Sequence, residues 1–349
     1  MPGTGQEEVS MPRTYNERWQ TVESLAEGGQ AHVFHVRDLR SPDDHYALKR
    51  LKNPERMERF EREIEVLRRL EHENIIDVID SFVEGDTGCY VMPLMEGGNL
   101  RGRVESYKGD VQRSLGLVLA ICDAVQAAHA AKIIHRDLKP ENILFRRDGD
   151  DAPVVADFGI CFLMGGQRFT STTEAVGPRG FMAPELEGGK IDTVDGSCDV
   201  YSLGKLLYYI VSGGGLLPRE RHREAGYELR EMLTGDNLVS VASCQLEYVS
   251  RLLDRMLKEN PSERWPNVEG CARQIRLVQR LVAEGRYPIT RKMPCRFCGI
   301  GEYHLMSGPS GDRSRKERYM YCLHCGHFER FMVGVFEAND SLGGPPKGR

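Results

Sequence analysis

Polar side chains that could do chemistry cluster in the middle of the chain. The densest run extends from His135 to Asn142, and the segments Asp157-Phe158-Gly159 and Ala183-Pro184-Glu185 follow it. Carboxylates, an amide and cations of these types can hold a polyanion with its metal ions and orient a hydroxyl group. A second group, four cysteines in two Cys-x2-Cys pairs, lies near the C-terminus. Paired cysteines are typical of metal or redox sites.

In their order and spacing, the central motifs resemble those of the eukaryotic-type (Hanks-type) serine/threonine protein kinases. The resemblance extends over residues 19–283, about three-quarters of the chain. It implies an α+β, bilobal protein-kinase fold: a β-rich N-lobe at about 17–95 and an α-rich C-lobe at about 96–284. It also implies a phosphotransferase that moves the γ-phosphoryl group of Mg-ATP to serine or threonine of protein substrates.

The resemblance assigns a role to each polar residue of the central run. Asp137 would accept or orient the proton of the substrate hydroxyl, and Lys139 would neutralise charge on the transferred group. Asn142 and Asp157 would bind Mg²⁺ or Mn²⁺. Farther along the chain, Glu185 is expected to pair with Arg264, and Asp199 is expected to brace the catalytic loop.

Lys49 stands at the position of the family's strand lysine, which holds the α- and β-phosphates, and Glu63 is the matching helix glutamate. Glu63 follows Phe60 by three residues on a predicted helix, so it lies at the edge of the buried helix face. An i, i+4 surface pair with Arg59 is the alternative for an isolated helix. Beside Lys49, the cleft-facing position is favoured.

The nucleotide loop departs from the family pattern. Residues 26–33 keep only the middle glycine of the three in GxGxxGxV. Alanine still supplies the backbone N–H groups that bind phosphate, so ATP binding is expected. Adenine is expected at the hinge, where Pro93 offers only a carbonyl and Met95 offers both backbone groups. The residues expected to bind ATP and its metal are Ala26, Gly28, Gly29, Ala31, Val33, Ala47, Lys49, Pro93, Met95, Asn142 and Asp157.

The activation segment between Asp157 and Glu185 carries candidate phosphorylation sites: Thr170, Ser171, Thr172 and Thr173. Arg136 is of the residue type that pairs with such a phosphate, so autophosphorylation is the hypothesis. A solvated Ser/Thr-rich loop is the alternative. Pro178 replaces the threonine that these kinases usually place near the catalytic Asp and Lys.

Residue patterns outside the motifs predict the remaining organisation. Residues 1–16 are expected to form a disordered tail, followed by the kinase domain at 17–284, a linker at 285–292, a small zinc ribbon at 293–336 and a flexible tail at 337–349. Strands are predicted at 31–36, 45–51 and 88–92, with a helix starting at Asn53-Pro54. Longer helices are predicted at 115–131, 200–212, 246–258 and 268–283.

The four paired cysteines predict a structural Zn²⁺ site. Cys295 and Cys298 are separated from Cys322 and Cys325 by 23 residues, a spacing close to that of zinc ribbons. Four protein ligands leave no open position for catalysis. A redox dithiol and unlinked buried thiols are the alternatives. The ribbon is expected to dock a substrate or regulatory protein.

Composition excludes some classes of function. No apolar run reaches the length of a membrane helix, and no secretory signal precedes the kinase motifs, so no membrane partner and a cytoplasmic location are expected. A basic loop at 313–318 could contact nucleic acid, but a solvated loop is favoured. The alternative for the whole chain is a pseudokinase scaffold whose ribbon binds a partner or nucleic acid.

Overall fold

The computed structural model describes residues 12–28, 31–158, 180–187, 194–233, 243–284, 287–294, 302–309, 316–322, 324–325 and 328–332. The chain divides into two units, with boundaries after Gly98, Ile143 and Cys161. The first unit is rich in strands and the second in helices.

The first unit contains a six-stranded antiparallel sheet of order β1-β2-β3-β4-β6-β5. Its strands are β1 (Thr14–Tyr15), β2 (Trp19–Glu27), β3 (Ala31–Asp38), β4 (Ser41–Leu51), β5 (Asp80–Glu84) and β6 (Thr87–Pro93). The predicted strands at 31–36, 45–51 and 88–92 are confirmed. Helix α1 (Met57–Arg68) follows a 3₁₀ turn whose N-cap is Asn53, as its sequence predicts.

Alternation along the strands places one set of side chains in a common core. Leu48 lies opposite both Phe34 and Val91 in the strand register, and Trp19 and Val36 are buried with it. The indole N–H of Trp19 donates to Asp80 Oδ2 at 2.9 Å, so the one polar atom of this ring is satisfied.

The N-terminal boundary differs from the prediction. Residues 14 and 15 were expected in a disordered tail, but they pair with Gln20 and Trp19 as strand β1. The Tyr15 side chain is only 2% exposed and packs against Phe34, with 6.1 Å between ring centroids. A two-residue strand is too short to show an alternating pattern, so the burial of one ring decides its structure.

A short two-stranded sheet contains β7 (Ile143–Phe145) and β8 (Pro153–Val155). In the first unit, the N–H of Val155 donates to Asn74 O and the N–H of Ile76 donates to Val155 O, which ties β8 to the chain before β5.

The second unit contains seven described helices. They are α2 (Leu100–Arg103), α3 (Val111–Ala130), α4 (Pro184–Glu187), α5 (Ser197–Val211), α6 (Ala225–Met232), α7 (Ser243–Met256) and α8 (Val268–Ala283). The four predicted long helices correspond to α3, α5, α7 and α8. Asp110 caps α3 and Asn267 caps α8, each by accepting a backbone N–H of the first turn.

Helix α5 is the core of this unit, because all of its residues are buried. A Cβ atom at Gly204 would lie 2.7 Å from Met256 Cβ, so glycine is required where α5 meets the end of α7. Two polar side chains of α5 hold neighbouring loops. Ser202 Oγ donates to Phe181 O at 2.9 Å, and Lys205 Nζ donates to Leu217 O at 2.6 Å.

Helix α3 is the one described helix long and apolar enough to span a membrane by length and composition. Most of its apolar window is buried in the second unit, where α3 packs against α5 and α8. These contacts account for its apolar composition.

Four strands near the C-terminus form an antiparallel sheet of order β12-β11-β10-β9, here named the C-terminal sheet. The strands are β9 (Tyr287–Pro294), β10 (Glu302–Pro309), β11 (Lys316–Cys322) and β12 (Phe328–Met332). The predicted linker at 285–292 is therefore wrong from residue 287 onward, because β9 pairs with β10. Strand β9 is an edge strand of this sheet, and β10 provides the hydrogen-bond partners on its inner side.

The buried ring of Tyr15 gives a test of strand β1. We expect Tyr15→Ala to lower the free energy of unfolding by about 3 kcal/mol, because an aromatic core side chain is lost. Val22→Ala on β2, where the side chain is 51% exposed, is the matched control and should change it by less than about 0.5 kcal/mol. Urea unfolding of the full chain, followed by tryptophan fluorescence, measures both. Equal midpoints for the two variants would contradict the assignment.

Candidate active site

Lys49 lies at the centre of the first polar cluster. Strand register places it opposite Val33 on β3 and Tyr90 on β6. Its Nζ atom lies 3.3 Å from Glu63 Oε1 and 3.1 Å from Asp157 Oδ1. The predicted pairing of Lys49 with Glu63 is therefore present, and α1 turns Glu63 toward the sheet and away from solvent.

Burial and charge oppose each other in this cluster. Burial alone would lower the pKa of Lys49, but the carboxylates of Asp157 and Glu63 outweigh it and raise this pKa well above its usual value. Burial also raises the pKa of Glu63, and the ammonium of Lys49 opposes that shift. The Tyr90 hydroxyl donates to Glu63 Oε1 at 3.3 Å, which adds a second donor to the carboxylate. The cluster therefore keeps a cation on the sheet surface.

Asp157 adopts a backbone conformation that non-glycine residues rarely adopt, with φ of 63°. Such strain persists where the surroundings determine the conformation, and it is common at functional sites. Here it accompanies the contact between the Asp157 carboxylate and Lys49.

The predicted nucleotide-binding residues of the first unit share one region of the sheet. Val33 lies opposite Lys49, and Ala47 lies two residues before Lys49 on the same strand face. The N–H of Gly28 donates to Ala31 O at 3.0 Å, so these two residues are paired although alanine replaces two glycines of the pattern. Gly29 and Gln30 lie outside the described residues.

The predicted hinge runs from β6 into a turn. Pro93 lies opposite Tyr46 in the register, and Met95 O accepts the N–H of Gly98 at 3.0 Å. Gly97 donates to Phe145 O at 3.1 Å, and a Cβ atom there would lie 2.4 Å from Arg147 O. Glycine is therefore required at residue 97 by the close approach of the chain around β7.

The second polar cluster is the catalytic loop in the second unit. Lys139 Nζ lies 2.6 Å from Asp137 Oδ2. The Asn142 amide donates to Asp137 O at 2.8 Å and to Asp137 Oδ2 at 3.2 Å. Asp137 N donates to His135 Nδ1 at 3.2 Å. The structure thus brings together the three residues for which the sequence predicts proton handling, charge neutralisation and metal binding.

Asp199 fixes this loop, as its predicted bracing role requires. Its fully buried carboxylate accepts the backbone N–H of His135 at 3.0 Å and that of Arg136 at 2.8 Å. His129 Nε2 lies 2.8 Å from Asp199 Oδ2. Burial alone would raise the pKa of Asp199, but the bonds from His129 and from the Arg136 backbone outweigh it, so this pKa lies below its usual value.

His129 is a site residue that sequence reasoning missed. It lies near the C-terminal end of α3, a helix whose other buried positions are apolar apart from Ser114. A lone polar ring in such a stretch must find a hydrogen-bond partner when it is buried, and this is the signal that could have identified it. The ring lies against Gly196, where a Cβ atom would be 2.7 Å from His129 Cε1.

Glu185 and Arg264 form the predicted ion pair. Arg264 Nη1 and Nη2 lie 2.6 and 2.9 Å from the two oxygens of Glu185, a bidentate geometry. The fully buried guanidinium also donates to backbone carbonyls of Lys258, Glu259 and Ser197. The end of the activation segment is thereby anchored in the second unit.

Several predicted site residues lie outside the described part of the chain. They are Thr170, Ser171, Thr172, Thr173, Pro178, Cys295 and Cys298. Cys322 is buried and Cys325 is exposed. Among the described residues, no three or more His, Cys, Asp or Glu side chains are placed together to hold a metal ion.

Residues 19–275 match the family described as protein kinase domain. This chain belongs to the protein kinase domain family. PkaA, a serine/threonine-protein kinase of Streptomyces coelicolor, is 37% identical over 235 residues, which are 65% of this chain and 40% of PkaA. PknB of Mycolicibacterium smegmatis, also a serine/threonine-protein kinase, is 33% identical over 218 residues, 59% of this chain and 34% of PknB. The chain therefore spans less than half the length of these two relatives.

The fold is also similar to that of a solved protein kinase. The PknI kinase domain of Mycobacterium tuberculosis has a TM-score of 0.56 and 24% sequence identity, and the match covers 77% of this chain and 99% of that domain. The predicted kinase fold, with a β-rich N-lobe and a helical C-lobe, is confirmed.

The bond between His129 and Asp199 in this kinase gives a test that depends on pH. We expect His129→Leu to cost about 1.5–3 kcal/mol of unfolding free energy at pH 7, because a buried carboxylate loses a donor. Without the hydrogen bond from His129, the pKa of Asp199 in the folded state rises. The folded variant then binds its proton more readily than the folded wild type, so the cost should shrink as the pH falls toward the ordinary carboxyl pKa.

Urea unfolding at pH 7 and at pH 4.5 measures this difference. The Asp199→Asn variant serves as the background control. In this background, His129→Leu should cost less unfolding free energy, and that cost should not depend on pH. A cost for His129→Leu that grows on acidification would contradict the assigned direction.

Proposed function

We propose that the chain is an active protein serine/threonine kinase that transfers the γ-phosphoryl group of Mg-ATP to protein substrates. The observation that carries the proposal is Lys49 held between Glu63 and Asp157 at 3.3 and 3.1 Å. A scaffold protein without phosphoryl transfer has no need to place a largely buried lysine between two carboxylates. The family membership and the names of the relatives support the same activity.

Each catalytic residue has a chemical task in the proposal. Asp137 accepts or orients the hydroxyl proton of the substrate, and Lys139, 2.6 Å away, neutralises charge that develops on the transferred group. Lys49 binds the α- and β-phosphates of ATP. The task of the first unit is therefore to hold the nucleotide, and that of the second is to orient the hydroxyl.

Asn142 and Asp157 have the donor types that suit Mg²⁺, since this ion prefers amide and carboxylate oxygens. Both hydrogen bonds from Asn142 to Asp137 use its amide nitrogen, which turns the amide oxygen the other way. When bound, Mg²⁺ neutralises charge on the β- and γ-phosphates.

The proposal includes serine or threonine as the acceptor, on the strength of Lys139 and of the relatives. Pro178 lacks the hydroxyl that these kinases usually place near the catalytic Asp and Lys, so Asp137 and Lys139 would act without a hydrogen bond from that position. Autophosphorylation of Thr172 or Thr173 is part of the proposal, with Arg136 as the residue that would pair with the phosphate.

Transfer of labelled γ-phosphate from Mg-ATP to the protein itself and to a generic basic protein tests the activity. We expect Lys49→Ala and Asp157→Ala to lower the rate at least about 100-fold, because phosphate and metal binding are lost. Lys108→Ala, which removes a lysine that pairs with exposed Glu105, is the control and should keep the wild-type rate. Mass spectrometry of the wild type should find phosphate on Thr172 or Thr173.

Phosphate transfer that persists in both variants would mean that another kinase contaminates the preparation. ATP binding without any transfer by the wild type would favour the pseudokinase scaffold.

We also propose that Cys295, Cys298, Cys322 and Cys325 bind a structural Zn²⁺ ion. The register of the C-terminal sheet supports this. Met293, Tyr303 and Cys322 lie side by side on β9, β10 and β11. Strands β9 and β11 therefore end, and β10 and β12 begin, at the same end of the sheet, with β9 and β11 about 10 Å apart. Cys295 directly follows the end of β9, and Cys322 is the last residue of β11, so both cysteine pairs start at that end.

Metal analysis of the full chain tests the zinc site. We expect about one zinc ion per chain, and a loss of more than about 10-fold in zinc affinity for Cys325→Ser, because one of four thiolate ligands is removed. Cys161→Ser, which changes a cysteine outside the two pairs, is the control and should retain the metal. The proposal would be contradicted if the wild-type chain, purified from zinc-containing medium, held no zinc.

A further inference from the structure

Arg255 joins the helical part of the second unit to the C-terminal region that holds the sheet. Arg255 lies in the last turn of α7, and its Nη1 atom donates to His324 O at 2.6 Å. Helix α7 also lies next to strand β9. His324 stands between Cys322 and Cys325, so the accepting carbonyl belongs to the turn that these cysteines bracket.

The same guanidinium contacts the core of the second unit. Arg255 Cζ lies 4.9 Å from the centroid of the Trp265 ring, within the range of a cation–π contact. Trp265 is 5% exposed, so this contact is largely shielded from water. Arg255 therefore contacts the cysteine turn and the buried tryptophan at once.

Trp265 follows Arg264, the residue that holds Glu185. Arg264 also donates to Lys258 O at 2.7 Å and to Glu259 O at 3.1 Å, and both carbonyls lie just beyond the end of α7. The end of α7, the Arg264–Trp265 pair and the carboxylate of Glu185 are thus joined by direct contacts. The neighbouring residues Trp265 and Arg264 therefore connect Arg255 to Glu185.

We propose that Arg255 is a positioning residue that couples the Cys322–Cys325 turn to Glu185 at the end of the activation segment. The metal-loaded turn holds its carbonyl in place for Arg255, Arg255 holds Trp265, and the adjacent Arg264 holds Glu185. In this way the C-terminal sheet supports the segment that binds protein substrates. The inference rests on the proposed zinc site and kinase activity.

Arg251 is a matched control for Arg255. It lies one turn earlier on the same helix and has the same charge, but it donates to Glu247 on that helix at 2.7 Å. Arg251→Ala therefore removes a guanidinium from α7 and leaves the bond to His324 in place. Arg255→Lys keeps the charge and a donor, so it should restore part of the coupling.

Hydrogen exchange of the full chain, read by mass spectrometry, tests the coupling at residues 180–187. Wild type, Arg255→Ala, Arg255→Lys and Arg251→Ala are compared with zinc and after removal of zinc. In the wild type, we expect zinc removal to speed exchange in this segment about tenfold, since a hydrogen bond to a charged group is lost. Arg255→Ala should exchange fast in both states, and Arg251→Ala should respond as the wild type does.

Steady-state kinetics give a second readout. Loss of the coupling should raise KM for a peptide substrate several-fold and leave KM for ATP unchanged, because Glu185 anchors the protein-substrate segment and Lys49 binds the nucleotide. A general loss of folded protein would lower the rate with both KM values unchanged.

Two results would overturn the proposal. One is zinc release from the wild type with no change of exchange in residues 180–187. The other is an Arg255→Ala chain that responds to zinc as the wild type does. If the wild type holds no zinc, the zinc site fails, and the zinc-free comparison of Arg255→Ala with Arg251→Ala decides the coupling: equal exchange at 180–187 overturns it, and faster exchange in Arg255→Ala supports it.

Discussion

A charged carboxylate without solvent contact is stable only where donors surround it, and the second unit meets this condition at Asp199. Two of its donors are the backbone N–H groups of His135 and Arg136, so the charge on α5 dictates the course of the chain just before Asp137. The position of Asp137 thus depends on a fully buried residue of another part of the second unit. His129 on α3 provides a further contact to the Asp199 carboxylate. The conformation of the loop before Asp137 therefore depends on the packing of α3 against α5.

The first unit satisfies its own buried charges in a different way. Lys49 and Glu63 come from a strand and a helix that pack together, and Asp157 comes from the chain after β8. Because the ammonium of Lys49 stands between two carboxylates, removing Lys49 would leave Glu63 buried beside a second carboxylate with no cation to compensate it. The cluster is therefore a constraint on folding, whatever it binds.

The sequence predicts most of this organisation because its patterns are long. Helices α3, α5, α7 and α8 carry several turns of apolar periodicity, and the motifs around Asp137 and Glu185 have distinctive spacing. Sequence patterns do not predict the structure where it depends on one contact between residues that are distant in the sequence. Strand β1 depends on burial of Tyr15, β9 depends on pairing with β10, and His129 acquires its role only because α5 places Asp199 beside it.

Helix α5 holds two neighbouring loops through their backbone carbonyl groups. Ser202 and Lys205 donate to the main-chain carbonyls of Phe181 and Leu217, and every amino acid has such a carbonyl. Side chains at residues 181 and 217 can therefore vary without loss of either hydrogen bond, provided that the new side chain packs. The attachment of these loops is therefore separable from the chemistry of their side chains, so the loop sequences can change while α5 keeps both loops in place.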